Sequence, residues 1–560
     1  MVVPTFLQIN LTDQTFEVKS YEELIPRIGG LGWALPLFER FHDSTGNESL
    51  EPIVFAIGPL SAIFPGASKT IAVFRSPQTG GLAISLGGGN LARFLRFAGY
   101  QGLVIYGKSS HPALVAVEGE KVAFSDARPF LGLETPKAFE RVSSSFGVPG
   151  RRSVVLTGPA AEQGLGYSSL YVDGFFSFPR AGLGRAFALK NLKVLTIGGE
   201  KSEELPNARR YQEVFDLLLK KLQGYRELSQ LGTLRNLTVE KNLSAVAVNN
   251  LSESGLAGEE LLAPQFSQAL SAHRVSCGGC PVGCIHLFHR TARGEPTELG
   301  QRGKKRFTYY DYESVAALGP LLGIFEAEPV ARLLERVWAL GLDPTSTGVI
   351  LAYVTEKENL SFGSVETYLT LLEALFASRE KWSQELQTSL SPGPESLSLG
   401  GLEFLPYFNG YASLLSQILQ FGFTTEENRG FLMDLELLNQ EVGPEGLVLR
   451  LVDAEKRKIL GELLVGCGYL ADVFEDPAGA FAALQALGEF FSHEQLQSGA
   501  EETLRQKMRL QHRLGFRPSG VKISEKFFQI PSPQGILKRE KLEEMVKVYE
   551  EKFYEPVSRS

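Results

Sequence analysis

Four cysteines occur in the 560-residue sequence, and three of them stand within eight positions, Cys277-Gly-Gly-Cys280-Pro-Val-Gly-Cys284. Thiolates are soft, strong donors, and three on one tight turn can hold three corners of an iron–sulfur cube. The glycines let the backbone wrap such a body and leave amides free to bond its sulfurs. A cubane needs a fourth ligand, and the remaining cysteine is Cys467, in Leu464-Val-Gly-Cys467-Gly-Tyr. One four-cysteine [4Fe-4S] cluster would use the whole inventory. A zinc site competes with it, because zinc takes paired Cys-x-x-Cys units or cysteines joined by histidine. His286 and His289 follow Cys284 closely enough to join three cysteines in such a site. Unrelated buried thiols are a third reading. A disulfide scaffold is not, since its cysteines would be many and spread along a short chain.

The elements that must position these groups change in texture along the chain. Residues 1 to about 200 carry short β-branched and aromatic runs punctuated by glycine, proline and serine. Ile53-Val-Phe-Ala-Ile, Thr70-Ile-Ala-Val-Phe, Gly102-Leu-Val-Ile-Tyr, Ala113-Leu-Val-Ala-Val, Ser153-Val-Val-Leu-Thr and Lys193-Val-Leu-Thr-Ile read as strands. Helices are expected at 89–99 and 134–146. From Glu203 onward, apolar residues recur every three or four positions, as in Val214–Leu222 and Glu328–Trp338, which is a helical period. A Ser- and Pro-rich linker is expected over 385–400, and a last helix over about 538–552. The expected fold class is α+β: a β-rich domain over 1–200, then mainly helical domains over 201–400 and 401–560. The second would hold the cysteine triplet and the third would hold Cys467.

Composition narrows the function. A net charge of −8 argues against nucleic acid as a partner, because phosphate recognition needs a basic surface. The short basic stretch Arg302-Gly-Lys304-Lys305-Arg306 reads as a solvated loop. No apolar run reaches the ~18 residues of a membrane span. The N-terminus lacks the pattern of a secretory signal. The cytoplasm is the expected compartment, with tethering by a partner left open.

Several ordered segments carry a resemblance. They are Ile57-Gly-Pro-Leu-Ser-Ala, Ser76-Pro-Gln-Thr-Gly80, Arg96-Phe-Ala-Gly-Tyr100-Gln-Gly and Pro179-Arg180-Ala181-Gly182-Leu-Gly184 with Lys190-Asn-Leu-Lys193. The cysteine triplet comes next, followed by Tyr312-Glu313-Ser-Val-Ala-Ala-Leu-Gly and Gly341-Leu-Asp343-Pro-Thr-Ser-Thr-Gly348. Their order and spacing resemble the tungsten-pterin aldehyde:ferredoxin oxidoreductase family, densely over about residues 50–350 and thinly beyond. The resemblance implies one [4Fe-4S] cluster on Cys277, Cys280, Cys284 and Cys467, and a tungsten or molybdenum bis-pterin. It implies pterin contacts at Lys69, Arg180, Ala181, Gly182, Gly184, Asp343 and Glu462, and a proton-transferring carboxylate at Glu313. The implied reaction interconverts a small aldehyde and its carboxylic acid. Electrons would pass to ferredoxin or to a partner subunit, in a homo- or hetero-oligomer. Glycine runs such as Gly87-Gly-Gly-Asn90 suit a cofactor with phosphates, because backbone can approach anions closely there.

This chain also departs from the family. Lys69 stands where the family has arginine, which keeps a charge but loses the bidentate fork. Leu86 stands in place of asparagine, Glu462 in place of aspartate, and Met433 in place of a histidine attributed to the active site. No histidine occurs between His289 and His493, so no small shift restores one. Arg332-Leu-Leu-Glu335 lacks the family's inter-subunit iron motif. Tyr309, Tyr310 and Tyr312 are candidate substitute proton donors. Two functions follow: a divergent enzyme, or a cluster-bearing electron-transfer or scaffold subunit that has lost the metal-pterin. A zinc-stabilised binding protein is a third.

Overall fold

Short buried runs separated by glycine turns build two six-stranded sheets between Thr5 and Gly198. The structure is a computed structural model that describes the chain outside residues 1–2, 46–49, 146–150, 203, 290–306, 379, 392, 394 and 559–560. The basic stretch at 302–306 and two prolines of the expected linker therefore lie outside the described residues.

The first sheet contains β1 (Thr5–Asn10), β2 (Thr15–Ser20), β3 (Ile53–Ala56), β4 (Thr70–Arg75), β5 (Leu82–Gly87) and β6 (Gly102–Tyr106), in the order β2-β1-β6-β3-β4-β5. The second contains β7 (Ala113–Glu118), β8 (Lys121–Asp126), β9 (Arg152–Thr157), β10 (Leu170–Val172), β11 (Phe176–Phe178) and β12 (Leu192–Gly198), in the order β11-β10-β9-β12-β7-β8. Each has one parallel pair, β1 with β6 and β7 with β12. Alternate side chains of a strand face opposite ways. Ile53, Phe55, Ala72 and Phe74 thus enter a core between the sheets, where Phe55 meets Phe178 and Phe187. Val54, Ala56, Ile71 and Val73 join the large core shared with the helices. Both faces are buried, which is why these strands read as continuous apolar runs.

The helices expected in this half are Leu91–Ala98 and Thr135–Ser145. A further helix, Gly30–Thr45, was not legible, because Pro36 lies inside it. Beyond Gly198 the chain is mainly helical, so the α+β class holds. The last helical stretch runs Arg539–Tyr549 and continues as a π turn over Glu550–Tyr554. Among the described residues no single helix is long and apolar enough to cross a membrane.

Three junctions set the cysteine-bearing segments against the sheets. The cysteine triplet is the loop of a hairpin between His273–Val275 and Ile285–Phe288, which pairs on to Thr308–Tyr310. This loop docks on sheet-domain backbone: Gly278 N donates to Gly89 O at 3.0 Å, and Gly66 N to Gly279 O at 3.3 Å. Asp173, in the turn after β10, accepts from Asn90 N at 2.8 Å and Val154 N at 3.0 Å, and so ties the glycine loop after β5 to the second sheet. Finally, the end of helix Pro444–Leu464 beds on Gly30 and Gly58, whose added Cβ atoms would lie 2.1 Å from Glu462 O and 2.2 Å from Leu464 O. That end of the helix presents Cys467. Gly58→Ala forces backbone apart in a close-packed junction and should cost about 1–3 kcal/mol, read as a lower urea midpoint with an unchanged slope.

Candidate functional site

All four cysteines line a single cavity of about 110 Å³. The hairpin loop supplies three, and Cys467 arrives after Val465, whose φ of 56° turns the chain out of its helix. Cys277 is buried and the others are partly buried. Burial pushes every thiol upward, Cys284 to about 12, and ionised neighbouring thiols would push them further. Four thiols in this state resist ionisation until a cationic body takes them as ligands.

The histidines do not join them. His286 lies on the strand Ile285–Phe288 with Nδ1 3.2 Å from Tyr310 Oη and Nε2 3.3 Å from Ser229 O, so both ring nitrogens are engaged. His289 packs against His273 and Phe307. Among the described residues no group of three or more His, Cys, Asp or Glu closes on a point that one ion could occupy. A zinc ion needs ligands at about 2.0–2.3 Å. The four thiols share one cavity wall, and a cubane takes its four thiolates on separate irons rather than on one ion.

The cavity is otherwise acidic. Asp311, Glu313, Asp343 and Glu426 line it, and Lys69 is the cation among its lining residues. Lys69 Nζ meets Glu426 Oε2 at 2.8 Å, while Glu426 Oε1 receives Gly468 N at 2.9 Å and Cys467 Sγ at 3.2 Å. Burial alone would strip the ammonium of its proton. Glu426, Cys467 and Cys277 outweigh it and hold Lys69 above the ordinary lysine range. The same pairing holds Glu426 below the usual carboxylate range against its burial. A fixed ammonium therefore stands beside the thiols.

Glu313 is on the first turn of helix Tyr312–Leu318, capped by Asp311 with Ser314. It is buried, 8% exposed, and its Oε1 accepts from Thr425 N. Burial, then repulsion from Asp311, pushes it up to about 8, against the Thr425 bonds and Arg180. Asp343 caps helix Pro344–Lys357, accepting from Ser346 N at 2.8 Å, and also accepts from Arg180 N at 3.0 Å. It is a cap and a cavity wall at once. Arg180, Ala181 and Gly182 are all left-handed, with φ of 66°, 55° and 79°. Two of them are not glycine, a strained run of the kind that persists where surroundings enforce it. Ser346 receives Arg180 Nη1 at 2.8 Å, and Ser76 donates to Ala181 O at 2.9 Å. An added Cβ at Gly184 would sit 2.3 Å from Ser169 O.

Glu462 lies elsewhere. It lines a second, much smaller cavity that shares Leu86, Glu426 and Cys467 with the first, and it pairs with Lys458 at 3.5 Å. Met433 is buried on helix Arg429–Glu436, outside the main cavity's lining. Sequence reasoning missed Asp311 and Glu426, which line the cavity. The paired acids in Phe421-Gly-Phe-Thr-Thr-Glu426-Glu427, set in an apolar stretch, were the signal for the last.

The residues fit a [4Fe-4S] cluster through their donor set. A metal-pterin needs polar walls as well. Ser68, Ser177 and Thr345 line the cavity, and nearby Arg180 Nε is buried without a partner among the described residues. They fit a polar guest, while Leu86 supplies an apolar wall.

Comparison with known proteins agrees with this geometry. The N-terminal domain of aldehyde ferredoxin oxidoreductase matches residues 6–199, and domains 2 and 3 match 211–386. A tungsten-containing aldehyde ferredoxin oxidoreductase of Pyrococcus furiosus is 27% identical over 369 residues, 63% of this chain and 58% of that protein. Its counterpart in Pyrococcus abyssi is 28% identical over 370 residues, 62% and 57% of the two chains. The WOR-like subunit of an aliphatic sulfonate oxidoreductase of Pyrococcus furiosus is 26% identical over 396 residues, 64% and 60%. The chain thus matches less than two thirds of the length of these curated relatives. Among solved structures, a chain of the active site complex BamBC of benzoyl coenzyme A reductase superimposes with a TM-score of 0.77 at 18% identity. That match covers 98% of this chain and 93% of the other, and it bears on the fold alone. The chain belongs to the aldehyde ferredoxin oxidoreductase family.

Anaerobic reconstitution with iron and sulfide separates the ligand sets. His286→Ala should take up iron like the wild type, and Cys467→Ala should lose the stable cluster spectrum.

Proposed function

We propose that this family member is an oxidoreductase interconverting an aldehyde and a carboxylic acid, with Glu313 moving the proton and the four cysteines holding a [4Fe-4S] cluster. The single observation that carries this reading is that Glu313 and all four cysteines line one cavity. Oxidation of an aldehyde with water yields the acid, two electrons and two protons. A tungsten or molybdenum bis-pterin, when bound, would supply the site that takes the electron pair. Lys69 and Asp343 would hold that group from the cavity wall, with the Arg180–Gly184 turn bracing Asp343 through Arg180 N. Ferredoxin or a partner subunit would receive the electrons. A reducing cytoplasm suits the free thiols.

Glu313 suits the proton step. It is buried within the wall of the cavity, and its affinity for protons is matched to near-neutral operation. Ionised, it takes a proton at Oε2 as the aldehyde is oxidised; protonated, it gives one back in the reverse direction. The Thr425 N–H fixes Oε1 and so orients the carboxyl. Phe175, Phe176 and Trp338 line the same cavity and limit access of water.

Metal and pterin analysis of anaerobically purified protein tests the cofactors. About four irons with one tungsten or molybdenum per chain is the expected result. Iron without tungsten, molybdenum or pterin would overturn the enzyme and leave the electron-transfer or scaffold subunit. Kinetics test Glu313. Since its ionised form is the base, aldehyde oxidation should rise with pH through about 8, and acid reduction should fall there. Glu313→Gln should remove that limb and lower kcat by about 10²–10⁴-fold, with iron content unchanged.

A further inference from the structure

The first sheet is closed at one edge and open at the other. At the closed edge β5 lies against β11: Ser85 Oγ donates to Pro179 O at 2.8 Å, and an added Cβ at Gly87 would sit 2.5 Å from the Phe178 ring. At the open edge β2 is hydrogen-bonded on one side only, to β1, and all six of its residues are exposed. Opposite residues of an antiparallel pair point to the same face of the sheet. Val18 lies opposite Leu7 and Phe16 opposite Ile9, so both are on the face that carries the core between the sheets. They nevertheless stay 47% and 43% exposed.

An open edge of this kind is a template for another strand unless something guards it. The usual guards are missing from β2. It holds no proline, its register with β1 runs unbroken from Thr15 to Ser20, and its two charges, Glu17 and Lys19, have opposite signs. Neither forms an ion pair among the described residues, and the Lys19 ammonium stands 5.5 Å from the centre of the Tyr21 ring.

The strand Thr15-Phe-Glu-Val-Lys-Ser20 is complementary to itself when run antiparallel. Because side chains alternate with a period of two, the two-fold axis of such a pair passes beside a residue and not between two. Centred on Val18, the axis puts Glu17 opposite the partner's Lys19 and Lys19 opposite the partner's Glu17. Centred on Glu17 it would oppose two glutamates, and centred on Lys19 two lysines; like charges directly opposite are destabilising. Charge therefore selects one register. In that register Phe16 and Val18 of both copies share a face and form one apolar stripe across the open edge.

We propose that β2 is a homodimer interface, in which two copies of this chain pair antiparallel through Thr15–Ser20 in the register centred on Val18. Main-chain hydrogen bonds supply the attraction, and the two Glu17–Lys19 pairs fix the register. The cysteine-lined cavity is walled by Leu86 of β5 and by Phe176 and Ser177 of β11, at the other edge, so this pairing leaves it uncovered. The interface is independent of the reaction assigned to that cavity.

Sedimentation equilibrium of the full chain tests the proposal, and a dimer is expected. Lys19→Glu and Glu17→Lys each set like charges opposite one another in both pairs, and each should raise the dimer Kd about tenfold or more. The double variant Glu17→Lys/Lys19→Glu exchanges the charges and should restore the wild-type Kd, which neither misfolding nor a change in net charge would produce. Circular dichroism of every variant should match wild type, since both positions are exposed. Val18→Lys, which sets two lysines against each other on the axis, is a second test and should weaken the dimer likewise. A monomer at every concentration, a Kd unmoved by the single reversals or by Val18→Lys, or a double variant as weak as the singles would overturn the interface.

Discussion

Cys467 has to meet a hairpin loop from a remote part of the chain, and the large elements are arranged around that meeting. The hairpin is fixed by backbone bonds to the glycine loops of the first sheet. Cys467 is fixed by a helix end seated against Gly30 and Gly58 of the same sheet domain. The helix-end contact leaves no room for a Cβ at either glycine, so the sheets act as a rigid gauge between two parts of the helical region. Packed interiors transmit small displacements rather than absorbing them, which makes these glycines part of the site's geometry.

Electrostatics sets the second constraint. Four thiols and four carboxylates line a cavity whose lining residues include a single lysine. Such a set is stable only with most of its protons in place or with added positive charge. Lys69 and Glu426 settle the region nearest Cys467 by pairing with each other. Burial and Asp311 keep a proton on Glu313 near neutrality. The same surplus of negative charge that favours a cationic guest therefore tunes the proton affinity of the residue best placed to do chemistry.

Much of this was legible in the sequence, and the reasons differ by element. Buried strands such as β3 and β4 declared themselves as apolar runs bounded by glycine. β2 did not, because an exposed edge strand, Thr15–Ser20, carries no run. The cysteine triplet was legible through spacing, but its fourth partner required elimination. Asp343 entered as a pterin contact implied by the resemblance, and the structure shows a helix cap whose carboxylate bonds Ser346 N and Arg180 N while lining the cavity. Glu426 stayed hidden because nothing local marks a glutamate as buried; only tertiary packing decides it. The zinc alternative also depended on tertiary placement, since His286 is close to Cys284 in sequence but points its ring toward Tyr310 and Ser229.

The departures from the family pattern become intelligible when placed in space. Lys69 pairs with Glu426, and Glu426, Leu86 and Glu462 all line the smaller cavity beside Cys467. Two of the four unusual positions thus line one wall, and a third, Lys69, pairs with a residue of it. On that wall Lys458 pairs with Glu455 at 2.9 Å and Glu462 at 3.5 Å, and Lys507 reaches Glu455 at 2.9 Å. Buried pairs of this kind contribute little net stability, yet removing one partner leaves an uncompensated charge and is costly. The charged residues here are therefore mutually dependent: Lys69 holds Glu426, while Lys458 holds both Glu455 and Glu462.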